Sequence, residues 1–189
     1  KFDAEEASAI AIDKAVMSRE ARAIEPGRYT VILEPAAAEE LLGNMGRSFN
    51  ARTADEGRSF MSKEGGGTKL GEKIVDERVT IWSDPLNPEV PTSTWSGDGL
   101  PRKKTMWVEN GVVKNLAYDR YWASQQGVDP VPFPGNMIMQ GGDASLDEMI
   151  KGTKRGILVT RFWYIRSVFR GHHNRCAWYR GASFVHHTA

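Results

Sequence analysis

The sequence contains one cysteine, Cys176, and no long apolar run. A single cysteine cannot form a disulfide within the chain, which agrees with a reducing compartment. A membrane-spanning helix needs about 20 consecutive apolar residues, and no stretch of the chain approaches that length. The first residues also lack the basic-then-apolar pattern of a secretory signal. We therefore expect a cytoplasmic protein that does not enter a membrane.

The chain also lacks a large excess of either positive or negative residues. Lys and Arg together number 25 and Asp and Glu 24, which gives a net charge of +1. Domains that bind nucleic acid usually carry a clear basic excess, so we do not expect direct binding to nucleic acid. Hydrophobic residues make up 40% of the chain and charged residues 26%, as in an average folded protein. At 189 residues, the chain suits one domain with its own core.

The last segment, residues 169–189, differs in composition from the rest of the chain. It contains three arginines, no acidic residue, the only cysteine and all four histidines. Histidine and cysteine are common zinc ligands, but adjacent histidines point in different directions and the spacing matches no zinc finger. We interpret the segment as a divergent tail rather than a metal site. The residues weighed are His172, His173, Cys176, His186 and His187.

Helix signals occur at four places along the chain. Asp3 with Glu6, and Ser145 with Glu148, have the spacing of capping boxes, in which each side chain binds a free backbone N–H. Pro35 suits the first turn of a helix, where its missing N–H costs nothing. The glycines that follow predict short helical turns and a flexible loop over residues 44–71. The predicted helices cover residues 4 to about 23, 35 to about 42, 118–126 and 145–152.

Runs of β-branched and aromatic residues predict five strands. The clearest is a hairpin, because Asn110-Gly111 separates two such runs and both residues tolerate the positive φ of a type I′ turn. The predicted strands cover residues 28–33, 77–82, 105–109, 112–116 and 156–168, the last apolar on both faces and therefore central. Strands interleaved with short helices predict an α+β fold with a strongly curved, mainly antiparallel sheet and short flanking helices.

Three segments in this order resemble the C-terminal half of the TldD/PmbA (TldE) metallopeptidase family: residues 25–42, 97–123 and 136–166. The resemblance implies a partial C-terminal domain built on a curved, largely antiparallel sheet. It implies three parts: residues 1–24 as a helix from the end of an N-terminal domain, residues 25–168 as the partial C-terminal domain, and residues 169–189 as the divergent tail. One hypothesis for the tail is a shifted reading frame.

The resemblance also implies a pair of subunits, in which the TldD-type member is a zinc peptidase. That member carries His-Glu-x-x-x-His directly after the Leu-Leu of the second helix, so that two imidazoles bind zinc and the glutamate deprotonates the metal-bound water. Here the matching stretch is Leu41-Leu42-Gly43-Asn44-Met45-Gly46-Arg47, without histidine or acid. The family's cysteine ligand lies in a segment that this chain does not contain, and Cys176 does not match it. We therefore assign no catalytic, cofactor-binding or metal-binding residue.

Other candidate sites have simpler interpretations. The acids Asp143, Asp147 and Glu148, and the pair Asp84 and Glu89, are read as capping and solvated residues rather than catalytic pairs. The run Gly65-Gly66-Gly67-Thr68-Lys69 lacks the residue order of a phosphate-binding loop and is read as a connection. Four aromatic residues are read as core residues rather than a peptide groove. They are Trp107, Phe162, Trp163 and Tyr164.

The sequence therefore predicts a subunit without zinc ligands of its own. It is expected to pair with a zinc-bearing TldD-type subunit in the degradation of peptides, with zinc in the partner and no activity alone. Two alternatives stay open: a non-enzymatic binding or regulatory protein, and a truncated paralogue without function.

Overall fold

A computed structural model describes residues 3–20, 23–162, 165–170, 173–177 and 183–188. The chain divides into two compact units, the first made of Lys1–Glu40, Asp143–Ile165 and Tyr179–Ala189, the second of Leu41–Gly142 and Arg166–Trp178. The helices are α1 (Ala4–Met17), α2 (Pro35–Ser48), α3 (Ala51–Asp55), α4 (Arg120–Gln126) and α5 (Leu146–Gly152). The strands are β1 (Thr30–Leu33), β2 (Ile81–Ser83), β3 (Thr105–Glu109), β4 (Val112–Val113), β5 (Ile138–Met139), β6 (Arg155–Arg161), β7 (Arg166–Arg170), β8 (His173–Ala177) and β9 (Ser183–Thr188). None of the described helices is long and apolar enough to cross a membrane.

The first unit contains a three-stranded sheet in the order β1-β6-β9. Strand β1 pairs with β6 in parallel, and β9 pairs with β6 antiparallel. Strand β6 is therefore central, as its apolar sequence predicts. The sheet packs against α2 through a small core whose buried members are Ala37, Ile157 and Val159.

The second unit contains an antiparallel sheet in the order β4-β3-β2-β5 and a hairpin formed by β7 and β8. Its core is larger than that of the first unit. It surrounds the fully buried Trp107 of β3, whose ring centroid lies 5.4 Å from that of Phe49. The buried members are Phe49, Ala51, Ala54, Met61, Ile81, Trp107, Val108, Val113, Leu116 and Ala117.

The turn between β3 and β4 has the predicted type I′ character. Asn110 has a φ of 50° and Gly111 a φ of 79°, so both central residues are left-handed. The Gly111 N–H donates to the carbonyl of Val79 at 2.9 Å, and the Gly111 carbonyl accepts from the N–H of Ile74 at 2.9 Å. A Cβ atom at position 111 would lie 2.4 Å from the carbonyl oxygen of Val75. Glycine is therefore required at position 111 for two reasons: the φ angle is positive, and there is no room for a Cβ atom.

Several predicted boundaries are wrong. Helix α1 ends at Met17 rather than near residue 23, and β6 ends at Arg161 rather than at residue 168. Helix α2 continues to Ser48 although Gly43 and Gly46 lie within it, because tertiary packing outweighs the low helix propensity of glycine. Strand β2 starts at Ile81 because residues 76–79 form a turn, in which the Val79 N–H donates to the carbonyl of Asp76.

The predicted fold class is confirmed, since short helices accompany sheets whose strand pairs are antiparallel except for β1 with β6. The capping boxes give a mixed result. Ser145 and Glu148 form a reciprocal box at the start of α5, whereas Asp3 caps α1 by accepting from the N–H groups of Glu5 and Glu6. The division into residues 1–24, 25–168 and 169–189 stays a prediction.

Candidate functional site

The second half of α2 is the place where the resemblance puts a metal motif. The six motif positions directly after Leu42 are residues 43–48. Met45 packs against the core of the second unit. Gly46 is buried, and a Cβ atom there would be in ordinary contact, at 3.7 Å, with the side chain of Met137. This stretch of the helix is therefore partly a packing surface.

The polar residues of this stretch bind each other. The Arg47 guanidinium donates to the Oδ1 atom of Asn44 at 3.3 Å, one turn away on the same helix. Asn44 is half-buried, whereas Arg47 is exposed. An arginine cannot lose its proton to bind a cation, and its positive charge opposes a metal ion nearby.

Residues 43–48 do not fit zinc. Structural and catalytic zinc sites use thiolate, imidazole or carboxylate ligands, and these six positions hold two glycines, an asparagine, a methionine, an arginine and a serine. Within the part of the chain whose side chains are described, no three His, Cys, Asp or Glu residues lie close enough to hold a metal ion. No chemical step can therefore be derived from zinc bound on α2.

The tail residues weighed as metal ligands belong to different elements. His173 and Cys176 lie on β8 in the second unit, and His186 and His187 lie on β9 in the first. His172 lies outside the described residues. In the pairing register, His186 is opposite Ile157 and His187 is opposite Gly156 of β6. The interpretation of this segment as a tail without a metal site stays a prediction.

Two of the acidic residues considered as catalytic pairs, Glu148 and Asp84, accept hydrogen bonds from neighbouring residues in the chain. Glu148 accepts hydrogen bonds from the backbone N–H of Ser145 at 2.7 Å and from its hydroxyl at 2.8 Å. These bonds lower the pKa of Glu148 below its ordinary value. Asp84 accepts from the N–H of Leu86 at 3.1 Å and so closes a turn. A catalytic acid has the opposite need, a pKa raised towards neutrality.

The glycine run forms a turn and not a phosphate-binding loop. Gly65, Gly66 and Gly67 all have positive φ values and lie between Ser62 and Thr68, which pair as an isolated bridge. The ammonium of Lys69 donates to the carbonyl of Phe60 at 2.6 Å and lies 4.2 Å from the centre of the Phe60 ring. The lysine is therefore engaged within the loop.

The aromatic residues weighed as a groove are core residues where they are described. Trp107 is fully buried, and its indole N–H donates to the hydroxyl of Ser83 at 3.0 Å. Phe162 is partly buried against the core of the first unit. Trp163 and Tyr164 lie outside the described residues.

One cluster in the second unit was not predicted from the sequence. Two loops, residues 84–101 and 130–136, are joined by side chains that bind backbone carbonyl groups. The Arg102 guanidinium donates to the carbonyls of Ser93, Trp95 and Phe133, at distances from 2.5 to 3.2 Å. The Asn136 amide donates to the carbonyls of Asp84 and Val90. No local sequence signal marks such bonds, because their partners lie up to 52 residues away.

A third side chain holds the same region. The Arg120 guanidinium donates to the carbonyls of Asp98 and Gly99, at 3.1 and 3.2 Å. Trp95, on the loop between these anchors, is 58% exposed. The loops are therefore fixed through their backbone and leave a large aromatic side chain at the surface.

Comparisons with known proteins agree with the resemblance seen in the sequence. A family model described as the PmbA/TldA metallopeptidase C-terminal domain matches residues 26–176. An uncharacterized protein of Methanocaldococcus jannaschii is 32% identical over 161 residues, which cover 78% of this chain and 37% of that protein. A metalloprotease of Methanothermobacter thermautotrophicus is 29% identical over 160 residues, 78% of this chain and 34% of the relative.

A solved structure gives the same result for the fold. TldE of Thermococcus kodakarensis superposes with a TM-score of 0.70 at 22% sequence identity, over 86% of this chain and 39% of that one. At this identity the likeness shows the fold alone. The chain spans between a third and two fifths of the length of these three proteins. Because the family model covers most of its length, the chain belongs to the TldD/PmbA metallopeptidase family.

Proposed function

We propose that this chain is part of a non-catalytic, TldE-like subunit that pairs with a zinc-bearing TldD-type subunit to degrade peptides. The observation that carries the proposal is the composition and packing of α2 at residues 43–48. Gly46 and Met45 face packed side chains, and Arg47 binds Asn44. A helix segment that packs against its neighbours and offers no zinc ligand supports a role in assembly rather than in catalysis.

The charge of Arg47 supports the same conclusion. In a zinc peptidase of this kind, the same helical turn carries neutral imidazoles that bind the metal and a carboxylate that deprotonates the metal-bound water. An exposed guanidinium in this turn adds a positive charge instead. The catalytic metal of the pair is therefore assigned to the partner subunit, together with the residues that would activate water there.

The peptide substrate and the cytoplasmic location are parts of the same proposal. A peptide substrate is supported by the metalloprotease relative and by the family to which the chain belongs. A cytoplasmic location is supported by the single cysteine, which needs no oxidising compartment.

Co-purification tests the proposal. The chain is expressed alone and together with a TldD-type subunit that carries His-Glu-x-x-x-His, and zinc content and peptide cleavage are measured for each preparation. We expect the two proteins to purify as a complex that contains zinc and cleaves peptides, with loss of cleavage when the motif glutamate of the partner is replaced by glutamine. The isolated chain should cleave nothing.

A control variant separates native zinc from zinc bound by the tail. In this variant His172, His173, His186 and His187 are all replaced by alanine, which removes every histidine of the chain. Zinc that disappears with these substitutions, without any associated cleavage, belongs to the tail alone. Chelator-sensitive peptide cleavage by the isolated chain would overturn the proposal, and failure to form a complex would favour a separate binding protein.

A further inference from the structure

One edge of the antiparallel sheet is covered by a segment of the same unit. Strand β4 lies at the end of the order β4-β3-β2-β5 and pairs with β3 on one side. On its other side, the Gly71 N–H donates to the carbonyl of Val113 at 2.8 Å, and the Val113 N–H donates to the carbonyl of Glu72 at 3.0 Å. We call the segment that begins here, residues 71–79, the strap.

The strap begins with a β-bulge. Two of its residues, Gly71 and Glu72, bond to one residue of β4, Val113, and Gly71 has a φ of 81°. This is the arrangement of a bulge whose first residue is a left-handed glycine. After the bulge, Lys73 and Val112 form an antiparallel bridge. A Cβ atom at Gly71 would have no heavy atom within 4 Å, so glycine is favoured there by φ alone.

The second half of the strap encloses the hairpin turn. The Ile74 N–H donates to the carbonyl of Gly111 at 2.9 Å, and the Gly111 N–H donates to the carbonyl of Val79, also at 2.9 Å. The strap therefore bonds to the main chain on both sides of Val112, through the bulge at one end and through the turn at the other.

The apolar side chains of the strap are only partly buried. They are Ile74, Val75 and Val79, and they pack against the core of the second unit from outside. Thr80, which follows the strap, is buried and marks where the firmly packed chain resumes. Segments whose apolar side chains are incompletely buried open at a lower free energy than the core.

The charged side chains of the strap pair within it. Lys73 pairs with Glu77 at 3.1 Å, and Arg78 pairs with Asp76 at 2.8 Å. Because both partners of each pair belong to the strap, these two ion pairs can persist when the strap leaves the sheet. They therefore add nothing to the cost of opening it.

The carboxylate of Glu72 also reaches a residue outside the strap. It lies 2.7 Å from the ammonium of Lys63, but the two side chains are 46% and 39% exposed. Ion pairs this exposed contribute little, because water screens them and the side chains lose entropy. The main-chain hydrogen bonds and the partly buried apolar side chains are therefore the main restraints on the strap.

We propose that the strap is a movable cover of β4, which opens as one unit while the rest of the second unit stays folded. Opening breaks the main-chain hydrogen bonds at Gly111 and Val113 together. It leaves these groups at the edge of the sheet, where unpaired N–H and C=O groups are able to pair with another strand. The opening does not depend on the role proposed for α2.

Native-state amide hydrogen exchange of the purified chain, followed by NMR in increasing urea below the unfolding transition, tests the proposal. Ile74, Gly111 and Val113 provide the strap amides. Ala117 provides the core amide, which donates to the carbonyl of Phe49 at 2.7 Å. The strap amides should share one opening free energy with a shallow dependence on urea, because little surface is exposed. The core amide should exchange more slowly and depend steeply on urea.

Two glycine variants separate opening of the strap from unfolding of the whole unit. Gly71 and Gly57 have φ values of 81° and 76°, and a Cβ atom at either has no heavy atom within 4 Å, so alanine strains both alike. Gly71→Ala should speed exchange of all three strap amides about 5- to 30-fold, because opening relieves the strain. Gly57→Ala is the matched control. It should leave the strap amides unchanged and speed only the core amide, because residue 57 stays folded when the strap opens.

Three results would overturn the proposal. Equal acceleration of the strap amides by both variants would mean that the strap opens only when the whole unit unfolds. Acceleration confined to Val113, beside the bulge, would exclude opening as one unit. Strap amides that Gly71→Ala leaves unchanged would exclude release of the bulge. Circular dichroism checks that both variants keep their secondary structure, and the zinc and cleavage measurements of the proposed complex are independent of these results.

Discussion

Replacing Gly111 by alanine should destabilise the second unit more than the same replacement at a left-handed glycine in open space. The chain offers a matched pair. Gly111 and Gly57 have φ values of 79° and 76°, but a Cβ atom at Gly57 has no heavy atom within 4 Å. At Gly111 the Cβ would lie 2.4 Å from the carbonyl oxygen of Val75 and 2.8 Å from that of Asp76.

The two variants separate backbone strain from collision. A left-handed conformation costs a non-glycine residue about 1 to 2 kcal/mol, and this is the whole expected loss for Gly57→Ala. In Gly111→Ala the segment at residues 75–76 must also move, which adds about 1 to 3 kcal/mol in line with other overpacked sites. The expected loss of unfolding free energy is therefore about 2 to 5 kcal/mol.

Urea unfolding followed by tryptophan fluorescence measures both losses. Four of the six tryptophans lie within residues 41–142 of the second unit, and one of them, Trp107 of β3, is fully buried, so the change in emission reports mainly on this unit. The slope of unfolding free energy against urea concentration should be the same for the wild-type chain and both variants if all three unfold to the same state. Equal losses for the two variants would refute the collision, and no loss in either would refute the left-handed assignment.

Three further outcomes are expected. Trp107→Phe should lower the unfolding free energy measured in urea by about 2 kcal/mol, because it removes the hydrogen bond to the buried Ser83 and leaves space in the core. Gly46→Ala should raise it by about 1 kcal/mol, because the added methyl group meets its neighbours at ordinary distance and alanine favours the helix. Hydrogen bonds from the guanidinium and the backbone N–H of Arg78 hold the pKa of Asp76 at about 2, against an ordinary value of 3.8. Their stabilising effect is complete above pH 4 and is lost as the pH falls towards 2, and Arg78→Ala should return the pKa towards 3.8 in an NMR titration.

Local chemistry made part of the fold predictable. The hairpin at Asn110-Gly111 requires positive φ at two successive residues, and few other sequences provide it. The capping box of Ser145 and Glu148 depends on atoms only three residues apart. The central position of β6 follows from apolar residues on both of its faces. Each of these features depends on residues close together in the chain.

Features that depend on distant residues were not predictable. The length of α2 is one example, since its interior glycines predict an early end, whereas the packing of Leu42 and Met45 against the core of the second unit favours a longer helix. The parallel pairing of β1 with β6 joins residues more than 120 positions apart. For the candidate site, the mismatch of α2 with zinc follows from residue types alone, whereas the role of Met45 in the core required the structure.

The loops held by Arg102, Arg120 and Asn136 have a consequence for how this surface can evolve. All three side chains donate hydrogen bonds to main-chain carbonyl oxygens, which every amino acid possesses. The loop conformation is therefore largely indifferent to which side chains project from positions such as 86, 90 and 95. Substitutions there can change the exposed side chains of this surface while the backbone of the loops keeps its conformation.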